Sequence, residues 1–254
     1  MEIRKRLGWK PGLPQPKQFL YSPARGLLGL PPSTDLQSLC PPVYDQGDLG
    51  SCTANAAAGL SQFLMKKLGH KVWTPSRLAI YYWERVIEDT VFEDSGASLT
   101  DAMKVLTQTG SPHENLWWYN VKKFTVKPNK NIVVDANAHK IKAGISVMQD
   151  LQHLKACLAE GYPFIFGFSV YSSFESQTVA TTGIMPMPKS NEELLGGHAV
   201  MAVGYDDNKQ MFKIRNSWGA GWGVGGYFWM PYAFITDRNF ADDFWTANAF
   251  ATWS

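Results

Sequence analysis

The sequence predicts an α+β fold in which a helical half precedes a β half. Three observations carry this expectation. Apolar residues recur at three- and four-residue steps through the first half of the chain. After Gly161 the texture changes to short apolar runs separated by glycine and polar turns. The 254 residues are 45% hydrophobic and 18% charged, enough length and apolar content for a real core. Helices first and strands later, without alternation, fit segregated α and β regions.

The first 42 residues stand apart. They hold 8 of the 15 prolines (Pro11, Pro14, Pro16, Pro23, Pro31, Pro32, Pro41, Pro42), so no long helix can form there. Residues 1–34 carry Arg4, Lys5, Arg6, Lys10, Lys17 and Arg25 against Glu2 as the one acid, leaving the remaining chain slightly acidic. A basic arm on such a body can dock on it; a solvated, partly disordered tail is the alternative. Trp9, Phe19, Leu20, Tyr21, Leu27, Leu28 and Leu30 favour docking, because disordered tails seldom keep so many apolar groups.

Helical patterns follow. Over 51–68, Ala56, Leu60, Phe63, Leu64 and Leu68 share a face, with Ser51 as cap and Gly69 as stop. Residues 74–88 open with Thr-Pro. Residues 98–109 have Ser98 as cap, Leu99, Ala102, Met103 and Leu106 on one face, and Gly110 beyond the end. Residues 120–145 are lysine-rich and read as a strand-bearing connector, with Lys123–Lys127 and Ile132–Val134 extended. A fourth helix is expected over 147–160, capped by Ser146 and stopped by Gly161. Strands are expected at Pro163–Val170, His198–Tyr205, Gln210–Arg215 and Gly226–Met230. The chain thus divides into an N-terminal extension (1–42), a mainly helical lobe (43–145) and a mainly β lobe (146–254).

Charge and cysteine usage exclude several functions. A net charge of +2, from 24 basic and 22 acidic residues, gives no body-wide footprint for nucleic acid. There is no apolar run of 18 residues, and the basic start is not followed by an apolar stretch of the secretory kind. Cys40, Cys52 and Cys157 are too few for a disulfide framework and read as reduced thiols. A cytoplasmic location is therefore expected over a secreted one, with no membrane or nucleic-acid partner.

Three segments can carry chemistry. In Gln46-Gly47-Asp48-Leu49-Gly50-Ser51-Cys52, a cysteine follows a glycine-rich turn at the first turn of a helix. Unpaired N–H groups and the helix dipole there stabilise a thiolate, so Cys52 is expected to have a depressed pKa; a buried inert thiol is the alternative. Gln46 can aim its amide at a carbonyl under attack, or merely hold the turn. In Gly196-Gly197-His198-Ala199, a histidine opens an apolar strand behind two glycines. It is either structural or a proton carrier. In Asn216-Ser217-Trp218-Gly219-Ala220-Gly221-Trp222, Asn216 can orient His198 while Trp218 shields the bond from water, or the whole is a tight aromatic loop.

Together these place Gln, Cys, His and Asn in one order. His198 lies 146 residues after Cys52, and Asn216 a further 18 on. The Asn216–Tyr227 stretch, NSWGxGWGxxGY, with GHAVxxVGY around His198, resembles the papain-like (C1) cysteine peptidases over roughly residues 43–250. The resemblance implies a papain-like two-lobe fold, with a helical left lobe, a β-barrel-like right lobe and the site in the cleft between them. It implies Cys52 as nucleophile, His198 as its partner, Asn216 as orienter and Gln46 as oxyanion donor. Gly96, Ala97 and Gly197 would pair with substrate backbone, and Trp222 would border the leaving-group side. Leu99 and Ala199 would line the pocket for the residue two before the cleaved bond. No metal or organic cofactor is implied. The departures are Leu49 where the family has a disulfide cysteine, Thr53 where an aromatic follows the nucleophile, Ala97 in the usual Gly pair, and the absence of a long helical pro-segment. They resemble the divergent bacterial and viral branch.

The implied reaction is endopeptidase hydrolysis. Cys52 thiolate and His198 imidazolium would form an ion pair, and a thioester acyl-enzyme would follow. A catalytically silent binding module, or a thiol amidase or acyl-transferase on a non-protein amide, are the rival readings. The expected partners are a peptide or protein substrate and, in cis, the tail lying over the cleft, on a monomer.

Overall fold

The computed structural model describes residues 6–12, 19–24 and 26–252. Helix α1 (Cys52–Lys67) runs through the middle of the helical lobe, and every residue from Cys52 to Met65 is buried. Small residues at Ala54 and Ala56–Ala58 let neighbouring elements approach it on several sides. Ser51 does not cap it: its hydroxyl instead meets the Tyr119 hydroxyl at 2.6 Å and accepts from Asn55 Nδ2. Helix α3 (Leu99–Lys104) is capped by Ser98, as expected, and helix α2 (Arg77–Ile87) by Ser76, inside the stretch that opens with Thr-Pro. After α3 the chain widens into a π-type turn over Val105–Thr109 and breaks at Gly110, φ 87°.

The connector departs from expectation. Ile132–Val134 is helical, within α4 (Lys130–Asn137), because the Asn129 side chain accepts from the Asn131 and Ile132 amides. That cap outweighs the strand preference of three β-branched residues. Helix α5 (Leu151–Ala159) is capped by Asp150, not Ser146. Short helices α6 (Gln177–Thr182) and α7 (Tyr232–Ile235) complete the set.

The strands are β1 (Phe19–Leu20), β2 (Ser33–Asp35), β3 (Lys140–Ile141), β4 (Ile145–Ser146), β5 (Phe164–Tyr171), β6 (Leu194–Asp206), β7 (Met211–Arg215), β8 (Tyr227–Pro231), β9 (Ala241–Thr246) and β10 (Phe250–Thr252). One sheet runs β1-β4-β9-β5-β6-β7-β8, and β2 pairs with the far end of β6; β3 and β10 pair separately. Among the described residues the sheet stays open, so the right lobe is not a closed barrel. Its core is a cluster of Phe164, Phe166, Phe168, Phe212 and Phe228. A second core joins α1, α2 and α3 to β5 and β6 through Leu60, Leu78, Leu99, Ala199 and Met201, so α1 lies against the strand carrying His198.

The described part of the N-terminal extension is docked. Its basic and proline residues Arg4, Lys5, Pro14, Pro16, Lys17 and Arg25 lie outside the described residues. Two different modes of docking appear. Phe19–Leu20 and Ser33–Asp35 extend the sheet: β1 runs parallel to β4, Tyr21 N–H donates to Ser146 O at 2.7 Å, and β2 is antiparallel to β6. Residues 6–12 instead cross the cleft between the lobes, bridged to Ala97 on one side and Gly197 on the other.

Candidate active site

Cys52 is the first residue of α1, at the helix end that faces β6. His198 stands near the start of β6, and Asn216 directly after β7. Because β6 and β7 are antiparallel neighbours (Met201 opposite Arg215), the turn after β7 returns to His198. The result is a His198 Nε2–Asn216 Oδ1 contact of 2.8 Å. Asn216 Oδ1 also accepts from Ser217 N–H, which fixes the amide orientation. Trp218 stacks on the imidazole, with ring centroids 4.8 Å apart and planes 28° from parallel. Phe168 meets the imidazole edge-on at 5.7 Å. Trp222 stands behind Trp218 at 5.1 Å, packed also on Phe174 and Phe228. Among the described residues, His198 Nδ1 is buried without a hydrogen-bond partner. Backbone groups of Ala199, Gly8 and Thr53 surround the Cys52 thiol and favour its charged form.

Gln46 is fully buried, and its amide is held at both ends. Oε1 accepts from Ser217 Oγ at 2.7 Å, which leaves Nε2 as the outward donor. Nε2 donates to Leu49 O and to the Arg6 carbonyl, each at 3.0 Å. Ser217 is a positioning residue that sequence reasoning passed over, although it sits inside the Asn-Ser-Trp-Gly stretch.

Residues 6–12 fill the cleft. Ala97 N–H donates to Gly8 O at 2.7 Å, and Lys10 N–H donates to Ala97 O at 3.0 Å. Gly197 O accepts from Gly8 N–H and Trp9 N–H at 3.1 and 3.0 Å. So Ala97 and Gly197 present backbone groups to an extended peptide, and that peptide is the chain's own. Gly96, at φ 70°, admits it closely: a Cβ there would stand 1.9 Å from Gly8 O. Leu99 and Ala199 are buried in the same cluster as the Trp9 indole. Ion pairs flank the segment, Arg6–Asp94 at 2.8 Å and Lys10–Glu88 at 2.9 Å.

The expected thiolate does not form under this cover. Burial pushes the Cys52 thiol up to about 12, against the smaller downward pull of its backbone donors. Burial likewise lowers His198 to about 4, outweighing the Asn216 bond. The helix dipole is too weak to hold a charge from which the tail has excluded water. Covered, Cys52 is held as a thiol and His198 as a neutral imidazole.

Two departures from the family pattern have physical substitutes. Leu49 is buried in the core where the disulfide cysteine would stand. The loop it occupies is tied instead by Asp94, whose carboxylate accepts from Gly50 N–H and from the Tyr81 hydroxyl; that hydroxyl in turn accepts from Gly96 N–H. Thr53 donates to the buried Glu84 at 2.7 Å, and desolvation raises the Glu84 pKa well above its ordinary range. Neither partner carried a recognisable sequence signal, since both contacts join separate helices and loops. Away from the cleft, His113, Asp135 and His139 lie close enough together to be considered for a metal. Their own hydrogen bonds, His113 Nδ1 to Asp135 and His139 Nδ1 to the Asp135 carbonyl, account for the grouping.

Residues 30–240 match the papain family of cysteine proteases. A peptidase C1-like protein of Acanthamoeba polyphaga mimivirus is 45% identical over 79% of this chain and 68% of its own length. Cysteine proteinase 3 of Entamoeba histolytica is 28% identical over 78% of this chain and 62% of its own. Among solved structures, xylellain, a cysteine protease from Xylella fastidiosa, superposes with a TM-score of 0.91 at 42% identity, covering 98% of each chain. Procathepsin B of Trypanosoma congolense shares the fold, with a TM-score of 0.76 at 17% identity over 99% of this chain and 88% of its own. A two-lobe α+β fold, this cleft and these likenesses lead to one conclusion: the chain belongs to the papain family of cysteine proteases and is a papain-like cysteine peptidase.

Proposed function

We propose that the enzyme hydrolyses peptide bonds by attack of Cys52 on a carbonyl held by Gln46. His198 moves the proton, Asn216 orients the imidazole, and residues 6–12 hold the site latent until displaced. One observation carries this reading: a peptide already lies in the cleft, with the Arg6 carbonyl on Gln46 Nε2 and its backbone strung between Ala97 and Gly197.

Its direction explains why it plugs the site without being cut. The residues after the Arg6 carbonyl, Gly8 to Lys10, lie along Ala97, and the Trp9–Ala97 bridge is parallel. A substrate must place the residues before its scissile carbonyl there, so that the leaving nitrogen faces His198. In the tail that nitrogen belongs to Leu7, on the wrong side. On displacement, water and counter-dipoles return to the cleft and the Cys52 proton passes to His198. Thiolate attack then gives a tetrahedral oxyanion on Gln46. Its collapse expels the amine, protonated by His198, and water hydrolyses the thioester.

The test is peptide mapping by mass spectrometry after treatment with an epoxysuccinyl peptide. Full-length chain is compared with Trp9→Ala and with a chain starting at Phe19. Fast labelling of Cys52 alone in the two altered chains, and slow labelling in the first, is expected. Equal rates in all three overturn the latency. No labelling of Cys52 in any form overturns the catalytic reading.

A further inference from the structure

Gln46 is clamped through its backbone as well as its side chain. Its N–H donates to Ser217 O at 2.9 Å, on the β lobe. Its carbonyl accepts from the Tyr119 hydroxyl at 2.8 Å, on the helical lobe. That hydroxyl also meets Ser51 Oγ at 2.6 Å, and Asn55 Nδ2 donates to Ser51 Oγ at 3.1 Å. A phenol has one proton to donate. Since the Tyr119 proton is on Gln46 O, Ser51 must donate to Tyr119. The chain therefore has one direction, from Asn55 through Ser51 and Tyr119 to Gln46. Burial pushes Tyr119 up to about 12, against the pull of its Ser51 bond, so the phenol keeps the proton it donates.

Tyr119 is itself held from behind. The Arg77 guanidinium, at the start of α2, lies over the Tyr119 ring at 4.1 Å and the Tyr44 ring at 4.6 Å. It forks onto Glu114, Nε to Oε2 at 2.9 Å and Nη2 to Oε1 at 2.8 Å. Nη1 donates to Asp45 O and to Asn55 Oδ1, each at 3.3 Å. The loop carrying Glu114 and Tyr119 is fixed to the same helix end. Ser76 Oγ donates to Trp117 O at 2.7 Å, and Glu114 N–H donates to Thr74 O at 2.8 Å. One buried cation thus grips both ends of the hydroxyl chain, at the residue before Gln46 and at the Asn55 amide.

A tetrahedral oxyanion is best held by two convergent donors. Here these are Gln46 Nε2 and the Cys52 N–H, a first-turn amide with no partner inside α1. Tyr119 bonds the residue that carries the first donor and the residue that precedes the second. We propose that Tyr119, backed by Arg77 and Glu114, is a positioning residue that sets the spacing of these two donors. It acts on the oxyanion and not on the thiol. This rests on the catalytic reading above. It also gives the Ser51 hydroxyl a task other than capping α1.

The test uses the full chain carrying Trp9→Ala, with a fluorogenic peptide amide as substrate and iodoacetamide as a probe of Cys52. Alkylation by iodoacetamide expels iodide and builds no oxyanion, so it reads the thiol alone. Tyr119→Phe keeps the ring under Arg77 and removes both hydroxyl bonds. It should lower kcat and kcat/KM together by about tenfold, with the alkylation rate and its pH profile within about twofold of the parent. Arg77→Lys keeps the charge without the fork and should act in the same way. In a Gln46→Ala background the donor is already gone, and Tyr119→Phe should cost less than about threefold in kcat. If Tyr119→Phe fails to fold, Ser51→Ala, which breaks the same chain one step earlier, decides in its place. A kcat within about twofold of the parent, a parallel fall in alkylation, or an undiminished loss in the Gln46→Ala background overturns this inference and leaves the peptidase reading intact. No turnover by the parent together with an unlabelled Cys52 overturns both.

Discussion

Under residues 6–12 the Cys52–His198 pair holds one proton, on sulfur; as an ion pair it would also hold one, on nitrogen. The change of charge state therefore neither takes up nor releases a proton, so long as the pH lies between the two ionisations of the open pair. With the thiol at about 12 and the imidazole at about 4, the covered form keeps its neutral pair across the working range. Alkylation of Cys52 by iodoacetamide in the full chain should accordingly stay slow and nearly flat from pH 5 to 9, reporting tail opening. In a chain starting at Phe19 it should already be fast at pH 6. Asn216→Ala removes the 2.8 Å contact that orients His198. In the Phe19 form it should lower kcat by about 10- to 100-fold at pH 7 with KM little changed. Gln46→Ala removes the donor facing the carbonyl and should cost about 100- to 1000-fold in kcat.

At the scale of elements, the extension is two devices rather than one. Phe19–Leu20 and Ser33–Asp35 are strands of the β lobe, with Tyr21 buried beside Glu160 and the Tyr205 hydroxyl donating to Pro31 O. Residues 6–12 only fill the cleft. Removing the first eighteen residues should release activity while the lobe keeps its strands. Starting instead at Leu39 also strips β1, β2 and the Tyr21 contact. That loss is roughly 2–3 kcal/mol, or about 5–10 °C in Tm at this size. Differential scanning calorimetry of both chains measures it; identical midpoints would mean the strands hold nothing. Within residues 6–12 the indole dominates. Trp9→Ala should cost closure about 3 kcal/mol and raise the open fraction about 100-fold.

Across the whole molecule, charge and tether complete the closure. The basic arm meets acids on the helical lobe, Arg6 on Asp94 and Lys10 on Glu88. Both basic side chains are about half exposed, so each pair contributes only about 0.2–1 kcal/mol. Reversing both charges, Arg6→Glu with Lys10→Glu, should raise the Cys52 labelling rate about tenfold, and 1 M salt should act in the same direction but less. Because β1 remains anchored, the plug stays close to its cleft after leaving it, at a high effective concentration. Closure should therefore be reversible while the chain is whole. Dilution of the intact enzyme should leave its activity per molecule unchanged, whereas a free peptide of residues 6–12 should inhibit the Phe19 form only at high concentration.

The sequence by itself determined the helices that begin near Cys52, Arg77, Leu99 and Leu151 and the strands β5 to β8, and it brought Gln46, Cys52, His198 and Asn216 forward as candidates, because caps, periodicity and short motifs act over a few residues. It misjudged Ile132–Val134 and the cap of α5, where one asparagine or aspartate side chain decided between two local structures. Only the tertiary structure decided the direction in which residues 6–12 cross the cleft, the full burial of Cys52 and His198, and the approach of Asp243 to Leu99. Leu99 and Asp243 are 144 residues apart in sequence, and the β9 bulge that joins them has no local signature. Exclusion of water from Cys52 likewise depends on residues forty and more positions away, and desolvation follows from what surrounds a group in space, not from its neighbours along the chain.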